Sequence, residues 1–275
     1  INAILKEPIG VPTVVSFWPH PREVLFGESR LRLDLPNEKT FLLEPLGIEQ
    51  LVLVPFNKNL ASKSAETFVE EVLVKTLHAK HIAVGENFRF GRNREGDTST
   101  LKKIGTSLGI KISIVPIVED NHGRLSSSRV RKALNDGDLK HAKYLLKRPY
   151  TFRGTVEKGR GLGKKIGWPT ANLKIDGRKF LPSLGVYAAW ASIANKKERF
   201  LAVMNMGPQP TIDPNSLSAV EVHLLDKEIN LLGHELIIEP VQRIRLQKKF
   251  ENIEALSKQI SSDAKLAKEI LTQKL

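Results

Sequence analysis

Residues 159–175 read GRGLGKKIGWPTANLKI. Four glycines (Gly159, Gly161, Gly163, Gly167) and the cations Arg160, Lys164 and Lys165 lead into Pro169, Thr170 and Asn172. Glycine lets backbone N–H groups approach a phosphate closely, and Lys or Arg neutralises its charge. Thr170 and Asn172 are two apart, so on an extended strand they share a face. A hydroxyl and an amide oxygen on one face are neutral donors of the kind Mg2+ accepts, with water and nucleotide phosphates completing its shell. The stretch is not a Walker A loop, because Gly163-Lys164 is followed by Lys165 instead of Ser or Thr, and it is not GxGxxG. A mobile turn beside a rigid corner is the plainer reading of the same residues. Glu221, in the alternating run AVEVHLLD (219–226), is the second candidate. Glutamate is poorly suited to strands, so it is either a solvated side chain or a general base beside a substrate hydroxyl.

Three further motifs carry less. RLSSSRVR (124–131) places Ser127 and Ser128 at the start of a basic helix, whose N-terminal N–H groups can take an anion, with Arg129 and Arg131 adding charge. FWPHP (17–21), with His20, and GENFRFGRNREGD (85–97), with Asn87, each follow a strand, the end at which open α/β sheets bind ligands. His78 and His81 lack convincing metal geometry, and no Ser/His/Asp set has recognisable spacing.

These residues need a scaffold, and its pattern changes once along the chain. Strands at 13–17, 49–56, 81–88 and 110–118 alternate with helices at 64–77, 98–109 and 126–138, followed by a shorter one at 139–146, which predicts βαβ units and a parallel sheet. From about 147 onward, short strands at 150–158, 185–193, 200–206, 219–225 and 235–240 are separated by Gly, Pro, Asn and Asp, as in a small barrel or sandwich. An amphipathic helix over 253–273, capped by Asn252, ends the chain. A length of 275 residues fits about two domains. The absence of cysteine excludes disulfides, thiolate catalysis and Cys-ligated metal centres, and fits a reducing compartment. No apolar run approaches the roughly 18 residues a membrane span needs. The net charge of +13 favours anionic partners: nucleic acid, acidic lipid or phosphorylated small molecules. With 6% aromatic residues and no basic run interleaved with stacking side chains, single-strand binding is disfavoured.

In this order the motifs resemble the bifunctional bacterial riboflavin kinase/FMN adenylyltransferase (FAD synthetase) family along essentially the whole chain. Residues 159–172 are similar to its glycine-rich loop and PTAN motif, NMGPQPT (205–211) to its Asn-x-Gly-x-x-Pro-Thr segment, and VEVHLLD to the strand bearing its catalytic Glu. RIRLQKKFENIEALSKQISSD (243–263) resembles its Arg-rich turn and last helix, and the three weaker motifs its adenylyltransferase signatures. The resemblance implies a Rossmann-like nucleotidyltransferase domain over 1–146, followed by a riboflavin kinase domain over 147–275, a small six-stranded antiparallel β-barrel with a C-terminal helix. It implies Glu221 as catalytic base; Gly159, Gly161, Gly163, Lys164, Gly167, Thr170 and Asn172 as ATP contacts; Thr170 and Asn172 as Mg2+ ligands; and Arg245 on the flavin side. It also implies an adenylyltransferase site of His20, Asn87, Ser127, Ser128 and Arg131. Riboflavin, ATP and FMN would be substrates and FAD a product of a cytoplasmic enzyme without nucleic-acid or membrane partners; a homo-oligomer is left open. That family carries an HxGH-type motif upstream, and no HxGH occurs in this chain. An N-terminally truncated protein, poor at making FAD, is therefore expected. The competing readings are a basic nucleic-acid-binding protein and a non-catalytic flavin- or nucleotide-binding regulator.

Overall fold

The computed structural model describes residues 1–6, 9–29, 31–159, 162–207 and 220–273. They form two compact units, Ile1–Arg30 with Pro36–Leu125, and Leu31–Leu35 with Ser126–Leu275.

In the first unit, aliphatic runs form β1 (Thr13–Trp18), β2 (Gln50–Pro55), β3 (His81–Gly85) and β4 (Lys111–Val115). β1 pairs parallel with β2, and β3 parallel with β4. Parallel neighbours require a crossover, and helices supply it. Between β1 and β2 run α1 (Pro21–Phe26) and α2 (Pro36–Leu43). Between β3 and β4 runs α3 (Thr98–Ser107), capped by Asp97, whose carboxylate accepts from Thr100 N–H at 2.8 Å. The helix expected over 64–77 opens at Ser64, whose hydroxyl caps it, as one α-helical turn (Ala65–Thr67). It continues as a π-helix (Phe68–Thr76). Its buried face (Phe68, Val69, Leu73) packs with Leu101 of α3, Phe90 and the strand residues Phe17, Ile82, Val84 and Ile112. A two-residue pairing of β5 (Glu119–Asp120) with β6 (Gly123–Arg124) ends the unit.

The second unit begins with α4 (Ser127–Asp136), capped by Ser126 and stopped by Gly137 at φ +73, and α5 (Leu139–Leu146). Six strands then close a barrel: β7 (Phe152–Glu157), β8 (Ala171–Lys174), β9 (Gly185–Ile193), β10 (Arg199–Met206), β11 (Val220–Leu224) and β12 (Glu235–Arg245). The order is β10-β11-β8-β7-β12-β9, and every neighbouring pair is antiparallel. Alternation sends Phe152, Val156, Ala171, Leu173, Met204, Val220, Val222, Leu236 and Ile238 inward, where they are buried. β9 is buried on both faces because α6 (Ile253–Thr272) covers its outer side: Val186 and Ala188 cluster with Ala264, Ala267 and Leu271. Asn252 caps α6 through Ala255 N–H at 2.8 Å, as the sequence predicts. β12 runs past Pro240, where the sequence would stop it. A register shift between Pro240 and Gln242 accommodates the residue that has no N–H to donate.

Residues 31–35 join this unit through their backbone. Arg32 exchanges N–H and C=O bonds with Arg178 and Phe180 at 2.7 and 2.8 Å, and Leu33 O accepts from the fully buried Lys179 Nζ and from Tyr150 Oη. Asp34 receives both of its bonds from Arg148 Nη2, at 2.8 Å each.

Candidate active site

The barrel register aligns four polar side chains in one row across β10, β11, β8 and β7: Asn205 opposes Glu221, Glu221 opposes Asn172, and Asn172 opposes Glu157. All four are half-buried and face outward, while their strand neighbours Val220, Val222, Ala171 and Leu173 fill the interior. The row extends the other way through Val186 to Arg245. Directly opposed residues have Cβ atoms about 4.5–5.5 Å apart, so the carboxylate of Glu221 lies between two amides.

The glycine loop rests on this row. Gly159 follows β7, and a Cβ there would stand 1.9 Å from Asn172 Nδ2. Gly163, in the one-turn helix Leu162–Lys165, would place a Cβ 2.2 Å from the Trp168 carbonyl oxygen and 3.2 Å from Thr170 Oγ1. Both positions need glycine for close approach. Gly167 needs it for a different reason: it has φ +81 with open space around it, and turns the chain. Trp168 N–H bonds back to Gly163 O at 2.8 Å, and Ile166 N–H to the same oxygen at 3.1 Å. Lys164 and Thr170 are exposed. Gly161 and residues 208–211 of the NMGPQPT stretch lie outside the described residues.

His223 shares the outer face with Glu221, two residues along β11. Its Nδ1 lies 2.7 Å from the Pro169 carbonyl oxygen, and the Trp168 ring meets it edge-on at 5.1 Å. Trp168 Nε1–H in turn reaches Ser257 Oγ on α6 at 3.4 Å. Gln247 Nε2 donates to Asn205 Oδ1 at 3.0 Å and to Met206 O at 2.8 Å. Arg245 is held by Asp263, which receives Nε and Nη2 at 2.8–3.1 Å and is 3% exposed. Gln259 adds a bond to the same carboxylate at 2.9 Å. The pair lies in the wall of an open groove of about 420 Å³ that Ile244, Ser262, Leu266 and Glu269 also line.

Among the described residues no three His, Asp or Glu side chains group as metal ligands. Near the loop, Thr170 and Asn172 offer neutral oxygens to a cation, and the missing Cβ of Gly159 leaves the Asn172 amide room. Such a pair fits Mg2+ brought in by a nucleotide, because phosphate and water oxygens supply the rest of its shell.

The remaining sequence candidates are divided between the units. In the first, His20 caps α1: its Nδ1 accepts from Arg22 N–H, and its own N–H donates to Glu23 Oε2, both at 3.1 Å. Asn87, with its amide turned to satisfy its partners, accepts from Arg124 Nη1 and Nη2 at 2.7 and 3.0 Å. That contact joins two motifs the sequence left unpaired. In the second unit, Ser127 and Ser128 are exposed in the first turn of α4, behind the capping Ser126. Arg131, on the next turn of α4, donates to Leu31 O at 3.3 Å and lies 5.9 Å over the Phe180 ring. Glu157, His223 and Gln247 had no assigned role. Only His223 left a trace in the sequence, through its i, i+2 spacing from Glu221; the other two need the barrel order.

A family model described as FAD synthetase matches residues 4–129, and one described as riboflavin kinase matches residues 146–271. The bifunctional riboflavin kinase/FMN adenylyltransferase of Haemophilus influenzae is 35% identical over 262 residues, covering 93% of this chain and 82% of its own length. That of Escherichia coli K12 is 36% identical over 259 residues, covering 93% and 81%. A crystal structure of a macrolide-efflux protein from Streptococcus pneumoniae is similar in fold, with a TM-score of 0.82 at 30% identity, covering 97% of this chain and 86% of that one. Among the described residues of this chain no helix is long and apolar enough to cross a membrane.

Proposed function

The chain belongs to the bifunctional riboflavin kinase/FMN adenylyltransferase family, and from that premise we propose that Asn205, Glu221 and Asn172, with the glycine loop seated on them, form its kinase centre. The enzyme phosphorylates riboflavin to FMN with ATP, and adenylylates FMN to FAD with release of pyrophosphate.

In the kinase reaction Glu221 accepts the proton of the riboflavin 5′-hydroxyl as that oxygen bonds to the γ-phosphorus and the bridging P–O bond of ATP breaks, leaving ADP. Thr170 Oγ1 and Asn172 Oδ1 would hold Mg2+, which neutralises phosphate charge. The 159–167 loop covers the nucleotide, and Lys164 adds a mobile cation for its phosphates. Phosphoryl transfer asks mainly for positioning and charge stabilisation, and these residues supply both. Arg245 acts on the flavin side by fixing α6 through Asp263. The single observation behind this reading is the contact of Gly159 with Asn172, the direct strand partner of Glu221.

For the adenylyltransferase activity we assign roles to His20 and to Asn87, which Arg124 supports, in the first unit, and separately to Ser127, Ser128 and Arg131 of α4 as ATP contacts. We place the functional division at 146/147; the separate ranges of the two family models, 4–129 and 146–271, support a division into two functional parts. A chain that consumes ATP and has no cysteine suits the cytoplasm, and its +13 charge suits the phosphorylated substrates ATP and FMN. Incubation of the chain with riboflavin, ATP and MgCl2, followed by chromatography, tests the assignment. FMN should form in the wild type, and its rate of formation should fall about 10²–10⁴-fold in Glu221→Gln. A near-wild-type rate of FMN formation in that variant would remove Glu221 from the mechanism.

A further inference from the structure

We propose that His223 is a positioning residue of the kinase reaction: it fixes the Pro169 carbonyl and, through it, the direction in which Thr170 presents its hydroxyl. The β8 ladder begins at Ala171, opposite Val222, so the next antiparallel step sets His223 against Thr170 on the face that carries Glu221. Residues 168–170 lie beyond that ladder, and Pro169 has no N–H to give to a neighbour. The imidazole instead satisfies the Pro169 carbonyl. A carbonyl oxygen only accepts, so the 2.7 Å contact requires hydrogen on Nδ1. On the other side the corner is closed by Gly163, which leaves no room for a side chain against the Trp168 carbonyl. The Trp168 ring packs against the imidazole at 5.1 Å, so His223 both bonds and buttresses the turn. The corner that presents one of the two neutral oxygen donors is thus gripped by the loop from one side and by His223 from the other.

This inference rests on the reading of Thr170 and Asn172 as Mg2+ donors. It predicts that loss of His223 weakens the metal-dependent part of nucleotide binding and spares riboflavin. The contact is a hydrogen bond to Nδ1, and an asparagine amide nitrogen occupies nearly that position. His223→Asn should therefore restore what His223→Leu, which keeps apolar bulk against Trp168, removes.

The test uses the full chain. ATP affinity is measured by calorimetry without riboflavin across a MgCl2 series, alongside KM for ATP, KM for riboflavin and Tm. His223→Leu should weaken MgATP binding and raise KM for ATP about fivefold to tenfold, the scale of one lost hydrogen bond. Metal-free ATP affinity and KM for riboflavin should stay within about twofold, and His223→Asn should recover most of the loss. Unchanged MgATP affinity in His223→Leu would overturn the proposal. So would equal losses for ATP and riboflavin with a lowered Tm and no recovery by Asn. Thr170→Ala separates the two levels. If it weakens MgATP binding and His223→Leu does not, the positioning role alone fails; if Thr170→Ala changes nothing, the metal-donor reading fails and the positioning role with it.

Discussion

Glu221 and Asn172 are direct cross-strand partners on the outer face of the barrel. A proton acceptor and a neutral oxygen donor are thereby fixed side by side on two rigid strands. Their orientation is set by register: a slip of one residue would turn both into the apolar interior and expose Val222 and Leu173 instead. The hydrophobic alternation that builds the barrel is therefore also what aims the chemistry.

Glu221→Gln preserves shape and removes the basic oxygen. FMN formation should fall about 10²–10⁴-fold, the usual contribution of a general base, with ATP affinity by calorimetry close to wild type. Glu157 stands in the same row but pairs with Lys174 at 3.2 Å, with side chains 39% and 47% exposed. Glu157→Gln should therefore change turnover by less than about threefold, because exposed pairs contribute little. Equal effects from the two variants would show that charge in the row, and not the base, governs the rate.

The three described loop glycines should fail in two different ways. Gly159→Ala drives a methyl into the Asn172 amide, and Gly163→Ala drives one into the Trp168 carbonyl. Each should lower kcat/KM for ATP at least about tenfold, roughly 1.4 kcal/mol of transition-state stabilisation, with riboflavin affinity kept. Gly167→Ala meets no atom within 4 Å but forces an L-residue to φ +81. It should cost about 1–2 kcal/mol of local backbone strain and loosen the turn without blocking the site. Steady-state kinetics with ATP varied, beside Tm, distinguishes the two patterns.

Much of the barrel was legible because its strands alternate and are separated by turn residues, and α6 because Asn252 and its apolar stripe mark it. Thr170 and Asn172 could be placed on one face by spacing alone. Their union with Glu221 could not be read, since it depends on β11 lying between β8 and β10, and order within a barrel is a long-range property. The extension of β12 through Pro240 was hidden because a bulge, and not local propensity, admits the proline. Arg124 was hidden as well: its bond to Asn87 joins the end of β6 to a turn far away in the chain. The pairing of Arg245 with Asp263 was hidden because the two lie far apart in sequence, on β12 and α6.

Asp263→Ala strands Arg245 beside the apolar underside of α6. Breaking one side of a buried pair costs about 3–5 kcal/mol, and the lower end applies because Arg245 is 19% exposed. Urea unfolding should show about a 3 kcal/mol loss. The riboflavin KM should rise as α6 loosens along the groove. A raised riboflavin KM with unaltered unfolding would instead make Arg245 a direct flavin contact.

Glu239 on β12 should show the opposite behaviour, gaining from loss of its charge. Burial pushes its carboxyl above the usual range, although Arg199 at 2.7 Å and the charge of Lys143 pull it down. A raised folded-state value means that the folded chain holds a proton which the unfolded chain has already released. Its contribution is therefore most favourable below the ordinary glutamate value of about 4.3 and is lost as pH rises through the folded value. Glu239→Gln removes this titration and leaves Arg199, half exposed, to water and to the Trp190 ring at 4.7 Å. At pH 7 the variant should match or exceed the wild type by less than about 1 kcal/mol, the range of partly exposed pairs. The difference should shrink as pH falls below the ordinary glutamate value of about 4.3, where folded and unfolded chains both take up the proton. Urea midpoints measured from pH 4 to 8 follow it directly, and a variant less stable at pH 7 than at pH 4 relative to wild type would show that the Arg199 pair outweighs the desolvation of Glu239.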